Sequence, residues 1–247
     1  MVSRRRFVAT LASGTLTACV GSSRSRGSAH LDTRPRTPIG RVTPGLTRLG
    51  GGSDADGYLY VPQSYRPDTP APLVLGLHGA GMNSSSQLEL LGQQAESHGL
   101  LVLALNSSEY TWDGILNRMG PDVARIDTVL SQAFSCCRVD PARVIIEGFS
   151  DGASYALGIG IANGALFSRI VAFSPGFITE TDSVPEGKPE VYISHGRRDQ
   201  ILPIDRTSRA IVPALQKSGY PVSYEEFEGG HGIPPAILQS AVEWMVR

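Results

Sequence analysis

The segment that decides the fold is Arg143-Val144-Ile145-Ile146-Glu147-Gly148-Phe149-Ser150-Asp151-Gly152. It opens with a short apolar run of buried-strand length, and a helix of small residues is predicted after it, to about Asn163. The pattern Gly-x-Ser-x-Gly lies between the two. A serine in such a turn exposes its hydroxyl above the sheet, and flanking glycines avoid collisions between strand and helix. Ser150 is therefore a candidate nucleophile, the alternative being a glycine-rich turn in which Ser150 only caps the helix.

The same alternation of strands and helices continues on both sides of this segment. Continuous apolar strands separated by helices indicate an α/β fold, with a mostly parallel sheet covered by helices on both faces. Only about 17 residues separate the strands near Phe173 and Val191, which predicts that no large cap domain is present. Strands are predicted at 58–61, 73–77, 100–105, 143–147, 170–173, 191–194 and 222–227, and helices at 84–97, 126–137, 205–217 and 234–246.

A serine hydroxyl needs a base, and the base an orienting acid. His231 lies on the loop after the last predicted strand, where a fold with this chain order of serine, acid and histidine carries its base. Asp199 follows the strand at 191–194 and is the expected acid. Asp205 is the competitor, but it precedes an apolar-periodic helix and is interpreted as its N-cap. His195 is expected to support the turn.

Attack on a carbonyl also requires donors for the developing oxyanion. One is predicted to be the backbone N–H of Asp151, which follows the candidate nucleophile. The second is expected from the small-residue loop His78-Gly79-Ala80-Gly81 after an early strand, with Ala80 as the first choice and Gly81 as the second. Trp112 and Asp113 follow another strand end, where they either line a substrate pocket or belong to an ordinary anchored loop.

Taken together, the loop at 78–81, the turn at 148–152, Asp199 and His231 resemble an α/β-hydrolase. Within that superfamily, residues 55–247 resemble bacterial phospholipase/carboxylesterase-type esterases and their polyester-depolymerase-like relatives. The resemblance implies the α/β-hydrolase fold, a Ser150/Asp199/His231 triad and ester hydrolysis. Asp151 departs from the pattern, because many relatives carry Gln, Asn, Met or a small residue there.

The first fifty residues differ from the rest in charge. They contain nine Arg and one Asp, a sum of +8, so the remaining residues carry −9 of the net −1. Arg4–Arg6 and the apolar run that follows predict an export signal over residues 1–18, and the segment Ser3-Arg4-Arg5-Arg6-Phe7 resembles a twin-arginine signal. Leu16-Thr17-Ala18-Cys19 resembles a lipobox, which would make Cys19 a lipid-attachment site, unless the segment is a plain signal peptide. Residues 19–54 are predicted to be a flexible linker.

Composition excludes several classes of protein. A near-neutral charge with a mildly acidic catalytic region argues against nucleic-acid binding. Three Cys exclude a disulfide-dense scaffold, and no ligand spacing for zinc is present, so we expect neither metal nor cofactor. The adjacent Cys136 and Cys137 are expected to be thiols rather than a strained disulfide.

The sequence thus predicts an exported, lipid-anchored serine carboxylesterase of the bacterial cell envelope, acting on small-molecule or polymeric esters through an acyl-enzyme on Ser150. Two other interpretations stay open. The same triad serves polyester (polyhydroxyalkanoate) or feruloyl ester hydrolases and peptidases. Alternatively, the chain is a surface-anchored binding module that kept a hydrolase scaffold.

Overall fold

The computed structural model describes residues 27–51 and 56–247. The predicted export signal and Cys19 lie outside these residues. The strands are β1 Gly45–Leu49, β2 Gly57–Val61, β3 Ala71–Leu77, β4 Leu101–Leu105, β5 Val139–Phe149, β6 Arg169–Phe173, β7 Glu190–Gly196 and β8 Val222–Phe227. The helices are α1 Ser84–His98, α2 Pro121–Cys136, α3 Asp151–Ala162, α4 Ser208–Lys217 and α5 Pro235–Val246.

The strands form one sheet of order β1-β2-β4-β3-β5-β6-β7-β8. From β4 to β8 every neighbouring pair is parallel, whereas β1 and β2 at one edge are antiparallel. Because crossover helices cover both faces of a parallel sheet, its strands read as continuous apolar runs, and β3 and β4 are buried along their whole length. This confirms the predicted α/β architecture.

Two apolar layers hold the helices on the sheet. One contains side chains of α2, α3 and α4, and the other contains side chains of α1 and α5. Residues 174–189, which connect β6 to β7, contain neither helix nor strand, and the structure therefore agrees with the expectation of no large cap. The carboxyl ends of β3, β5, β7 and β8 meet at one edge of the sheet, where ligands of such folds bind.

The N-terminal strap, residues 27–51, differs from the predicted flexible linker over 19–54. Ala29 and Leu31 are fully buried in the core layer of α2 and α3. The Leu31 N–H donates to Asn163 Oδ1 at 2.8 Å, and Asn163 Nδ2 donates to the Ala29 carbonyl at 2.7 Å. The strap then ends in β1, which pairs with β2. Within the described residues, the part of the chain that packs on the core therefore includes Ala29 and Leu31.

A second difference concerns the start of the penultimate helix. Residues Ile204–Arg206 form a 3-10 turn, and α4 begins only at Ser208. Asp205 does not cap this helix, because its Oδ1 accepts from Arg209 Nη1 at 2.7 Å and the N-cap position belongs to Thr207. The expectation that Asp205 is an N-cap was wrong.

The two adjacent cysteines end α2 and begin the following loop. Both are free thiols, with Sγ atoms 3.8 Å apart, and Cys137 is buried while Cys136 is half-buried.

Candidate active site

Ser150 occupies the turn between β5 and α3. Its backbone has φ 57° and ψ −116°, a left-handed region that L-residues rarely adopt. The Ser150 N–H donates to the Phe173 carbonyl at the end of β6, at 2.9 Å, and this bond holds the strained turn against the sheet. Backbone strain of this kind is concentrated at functional sites.

The glycines on either side of Ser150 are required by close backbone contacts. A Cβ added to Gly148 would lie 2.2 Å from the Gly152 carbonyl oxygen. A Cβ added to Gly152 would lie 2.1 Å from the carbonyl oxygen of Leu77 in β3. Both distances are far below van der Waals contact, so any larger residue would force the turn apart. The structure therefore confirms that the flanking glycines avoid collisions between the strand and the helix.

The structure brings His231 and Asp199 to this serine. His231 Nε2 lies 2.9 Å from Ser150 Oγ, and His231 Nδ1 lies 2.6 Å from Asp199 Oδ2. The ring of Phe149 packs against the imidazole, with ring centres 4.9 Å apart. When Nδ1–H donates to the carboxylate, Nε2 is the ring nitrogen that can accept the serine proton.

The loops after β7 and β8 carry this pair, and their backbones touch. The Arg198 N–H donates to the Gly229 carbonyl at 2.9 Å. A Cβ on Gly196 would lie 2.3 Å from the Gly230 carbonyl oxygen, so glycine at 196 is what allows the loop of His231 to lie against the loop of Asp199.

The carboxylate of Asp199 is buried and fully hydrogen-bonded. Its Oδ1 accepts from the N–H groups of Ile201 and Leu202 at 2.9 and 2.8 Å. Burial opposes ionisation, but the bonds from Leu202, His231 and Ile201 outweigh it and hold the pKa of Asp199 below its ordinary value. Asp199 is thus kept as an anion that faces His231.

His195 is a further residue of this site. Its Nε2 lies 2.8 Å from the Leu202 carbonyl oxygen and 3.1 Å from Asp199 Oδ2, and its Nδ1 lies 2.7 Å from Ser208 Oγ. Burial lowers the pKa of His195, so the ring is neutral near pH 7. The sequence showed only that His195 ends a strand four residues before Asp199, and it could not show that both imidazoles meet one carboxylate.

The loop after β3 lies directly beside the nucleophile. A Cβ on Gly79 would be 3.4 Å from Ser150 Cβ. Among the described residues, neither the Ala80 N–H nor the Asp151 N–H has a hydrogen-bond acceptor, so both are available to a substrate oxygen. The second choice, Gly81, is excluded as a donor because its N–H already donates to the Tyr110 carbonyl at 2.8 Å.

Trp112 and Asp113, the possible pocket residues, are buried inside the protein. Trp112 is fully buried and its Nε1–H donates to the His78 carbonyl at 2.8 Å, while its ring stacks on Tyr155. Asp113 is buried as well and accepts from the Tyr155 hydroxyl at 2.8 Å. The burial of both side chains and the bonds of their polar atoms inside the protein favour the alternative of an anchored loop.

An apolar pocket of about 310 Å³ opens beside His231. The exposed edge of the cleft also carries large apolar side chains, of which Tyr110 is 75% and Ile201 is 70% exposed. The pocket beside His231 is lined by Met82, Ser86, Gln87, Leu90, Phe149, His231, Gly232 and Ile233.

In the part of the chain that the structure describes, no group of three or more His, Cys, Asp or Glu side chains is placed to hold a metal ion.

The chain is similar in sequence to known esterases. The sequence model of the phospholipase/carboxylesterase family matches residues 104–246. Feruloyl esterase C of Emericella nidulans is 30% identical over 234 residues, covering 81% of this chain and 84% of the relative. A probable feruloyl esterase C of Aspergillus niger is 25% identical and covers 74% of this chain and 78% of the relative.

Solved structures share the fold. Esterase PE8 superimposes with a TM-score of 0.64 at 23% identity, covering 77% of this chain and 97% of the other. FphF, a fluorophosphonate-binding serine hydrolase of Staphylococcus aureus, also gives 0.64 at 17% identity, covering 83% and 100%. The geometry of the site and these relatives agree. The chain belongs to the phospholipase/carboxylesterase family of α/β-hydrolases and is an ester-cleaving serine hydrolase.

Proposed function

We propose that ester cleavage runs through Ser150 as nucleophile, His231 as general base and acid, and Asp199 as the orienting anion. The observation that carries this proposal is the continuous hydrogen-bonded chain from Ser150 Oγ through His231 to Asp199, at 2.9 and 2.6 Å. His231 takes the serine proton as Oγ attacks the carbonyl carbon, and then gives it to the departing alcohol oxygen. Water repeats the sequence on the acyl-enzyme and releases the acid.

The tetrahedral intermediate places a negative charge on the former carbonyl oxygen. The N–H groups of Ala80 and Asp151 are proposed to receive it. Asp151 is the first residue of α3, so the positive end of the helix dipole favours charge at the same point.

For the substrate we propose esters of hydroxycinnamic acids, of which ferulic acid is one. Two observations support this substrate class over short aliphatic esters. Two curated relatives that cover 81% and 74% of this chain are named feruloyl esterase C and probable feruloyl esterase C. In addition, the apolar pocket beside His231, with Phe149, Leu90 and Ile233 in its wall, offers apolar surface to an aromatic group close to the reacting carbonyl.

The test is hydrolysis of methyl ferulate by the purified domain, beside p-nitrophenyl esters of short and long chains, polyhydroxybutyrate and peptide amides. We expect methyl ferulate to give a higher kcat/KM than an aliphatic methyl ester, and Ser150→Ala to lower kcat at least about 10⁴-fold on every ester. Equal rates for the two proteins would contradict the mechanism. Turnover of polyester or amide with no ferulate activity would contradict the substrate class alone.

We also propose that the protein is exported and anchored through Cys19. The support is the cationic and apolar sequence of residues 1–18 and the lipobox-like Leu16–Cys19. Within the described ranges, no helix is long and apolar enough to cross a membrane. A Cys19→Ala change should move the protein from the membrane fraction to the soluble fraction, and a wild-type protein found soluble would overturn the anchor.

A further inference from the structure

Three consecutive residues after β4 contact both segments that carry the proposed oxyanion donors. The Tyr110 carbonyl accepts from the Gly81 N–H at 2.8 Å. Thr111 Oγ1 donates to Asp151 Oδ2 at 2.7 Å. Trp112 Nε1 donates to the His78 carbonyl at 2.8 Å. We call Tyr110–Trp112 the clamp segment, because it bonds to the loop after β3 and to the start of α3 at once.

These contacts surround the donor N–H groups without using them. On one side, Trp112 fixes the His78 carbonyl and Tyr110 fixes the Gly81 N–H, so the backbone is held on both sides of Ala80. On the other side, Thr111 holds the carboxylate of Asp151, whose own N–H stays without an acceptor among the described residues. The relative position of the two donors therefore depends on the clamp segment.

The clamp segment is itself rigidly supported by a buried pair of carboxylates. Asp113 Oδ2 accepts from the Asp122 N–H at 2.7 Å, and Asp122 Oδ2 accepts from the Asp113 N–H at 2.9 Å. The Ser108 N–H donates to Asp122 Oδ1 at 2.7 Å, and Tyr155 of α3 donates to Asp113. Burial raises the pKa of Asp122 despite these bonds. These bonds fix Asp113, which directly follows the clamp segment, and so limit the movement of the clamp segment.

We propose that the clamp segment aligns the two oxyanion donors and that Thr111 is its positioning residue, acting through Asp151. The Thr111 hydrogen bond keeps the negative carboxylate of Asp151 turned to Thr111 instead of leaving it free to reach the oxyanion, whose charge it would oppose. The inference rests on the proposed function, in which Ala80 and Asp151 stabilise the intermediate. Because the oxyanion develops only in the transition state, the clamp acts on kcat and not on substrate binding.

The test compares Thr111→Val with the wild type and with Thr111→Ser. Val keeps the shape of the side chain and loses the hydroxyl, and we expect kcat to fall roughly 10- to 100-fold with KM unchanged. Ser retains the donor and should restore kcat to within about threefold. Thr128→Val is the matched control, because Thr128 Oγ1 donates to the Ala124 carbonyl on the exposed side of α2, and it should leave kcat unchanged.

A double-mutant cycle separates positioning from general damage to the fold. In an Asp151→Ala background, where the N–H remains but the carboxylate is gone, Thr111→Val should change kcat less than about twofold. An equal effect in both backgrounds, an effect on KM instead of kcat, or no effect in either would overturn the proposal. If Thr111→Val does not fold, judged by its thermal unfolding, Thr111→Ala takes its place in the same cycle.

Failure of this inference is distinguishable from failure of the proposed function. If Ser150→Ala abolishes turnover while Thr111→Val matches the wild type, the triad stands and the clamp is wrong. If Ser150→Ala retains turnover, the proposed mechanism itself falls.

Discussion

The catalytic edge of the sheet and the N-terminal strap are both well packed, yet they are encoded in different ways. At the catalytic edge, β3 and β4 are continuous apolar runs, and the loops after β5, β7 and β8 carry Ser150, Asp199 and His231. The strap over 27–51 is rich in Arg, Pro, Thr and Gly and has one short strand, β1, of which only Leu49 is buried. Near the start of the strap, Ala29, Leu31 and the amide of Asn163 hold it on the core. A segment that packs on the core but has no regular spacing of apolar residues is therefore easily mistaken for a linker.

Changes at the catalytic edge should lower activity, whereas changes in the strap should lower stability. The largest expected effect is the loss of kcat in Asp199→Asn. The amide keeps the shape but favours the wrong tautomer of His231, so kcat should fall about 10⁴-fold while the melting temperature shifts little. Steady-state kinetics with a p-nitrophenyl ester and a thermal melt check this. Retained activity together with a lowered melting temperature would mean that Asp199 is structural.

The strap should show the opposite behaviour. Leu31→Ala removes a fully buried side chain and should lower the free energy of unfolding by about 2–5 kcal/mol, with kcat of the folded enzyme within about twofold of wild type. Urea unfolding measures the change. Ile39→Ala, at a position of the same strap that is 89% exposed, is the control and should change stability very little. Similar stability for both variants would restore the description of this region as a loosely attached linker.

Glu147 gives the stability of the sheet a pH dependence. Its carboxyl group is fully buried and, among the described residues, neither oxygen has a hydrogen-bond partner. Burial raises the pKa of Glu147 well above its ordinary value, so the folded protein holds a proton that the unfolded chain releases. The contribution of Glu147 to stability is therefore present at low pH and is lost as the pH rises toward the raised pKa.

Glu147→Gln removes this titration. Relative to wild type, the variant should gain stability as the pH rises above the ordinary pKa of a glutamate, with a slope of at most about 1.4 kcal/mol per pH unit. Thermal melts of both proteins from acidic to neutral pH give the difference. A difference in stability that stays constant with pH would show that Glu147 keeps one protonation state throughout.

His195 should have the smallest effect of the four. Replacing it by Phe removes the N–H directed at Asp199 and Leu202, so kcat should fall about tenfold with KM unchanged. His98→Phe, at the exposed end of α1, is the control. A loss of stability in His195→Phe with unchanged kcat would reduce His195 to a support of the turn, as the sequence alone suggested.

Much of the catalytic edge could be predicted because its chemistry requires local patterns. Gly148 and Gly152 are needed by contacts within the turn, and the order of Ser150, Asp199 and His231 follows the order of the strands. The sequence could not reveal contacts between distant segments. Examples are the bond from Thr111 to Asp151, the burial of Trp112 and Asp113, and the second imidazole at Asp199, each set by how loops fold over the sheet edge.

The strap escaped prediction for a related physical reason. Edge strand β1 meets the sheet on one side only, so it lacks the continuous apolar run of a central strand. The bonds that hold residues 29 and 31 use backbone groups, which every residue carries, and the distinguishing partner, Asn163, is 132 positions away from Leu31.

Mass spectrometry of the protein quenched during turnover of a slow ester tests the central claim most directly. The account predicts one acyl group per chain, on the peptide that contains Ser150, and no acyl group on the Ser150→Ala variant. An acyl group on another residue, or turnover by the variant at the wild-type rate, would contradict it.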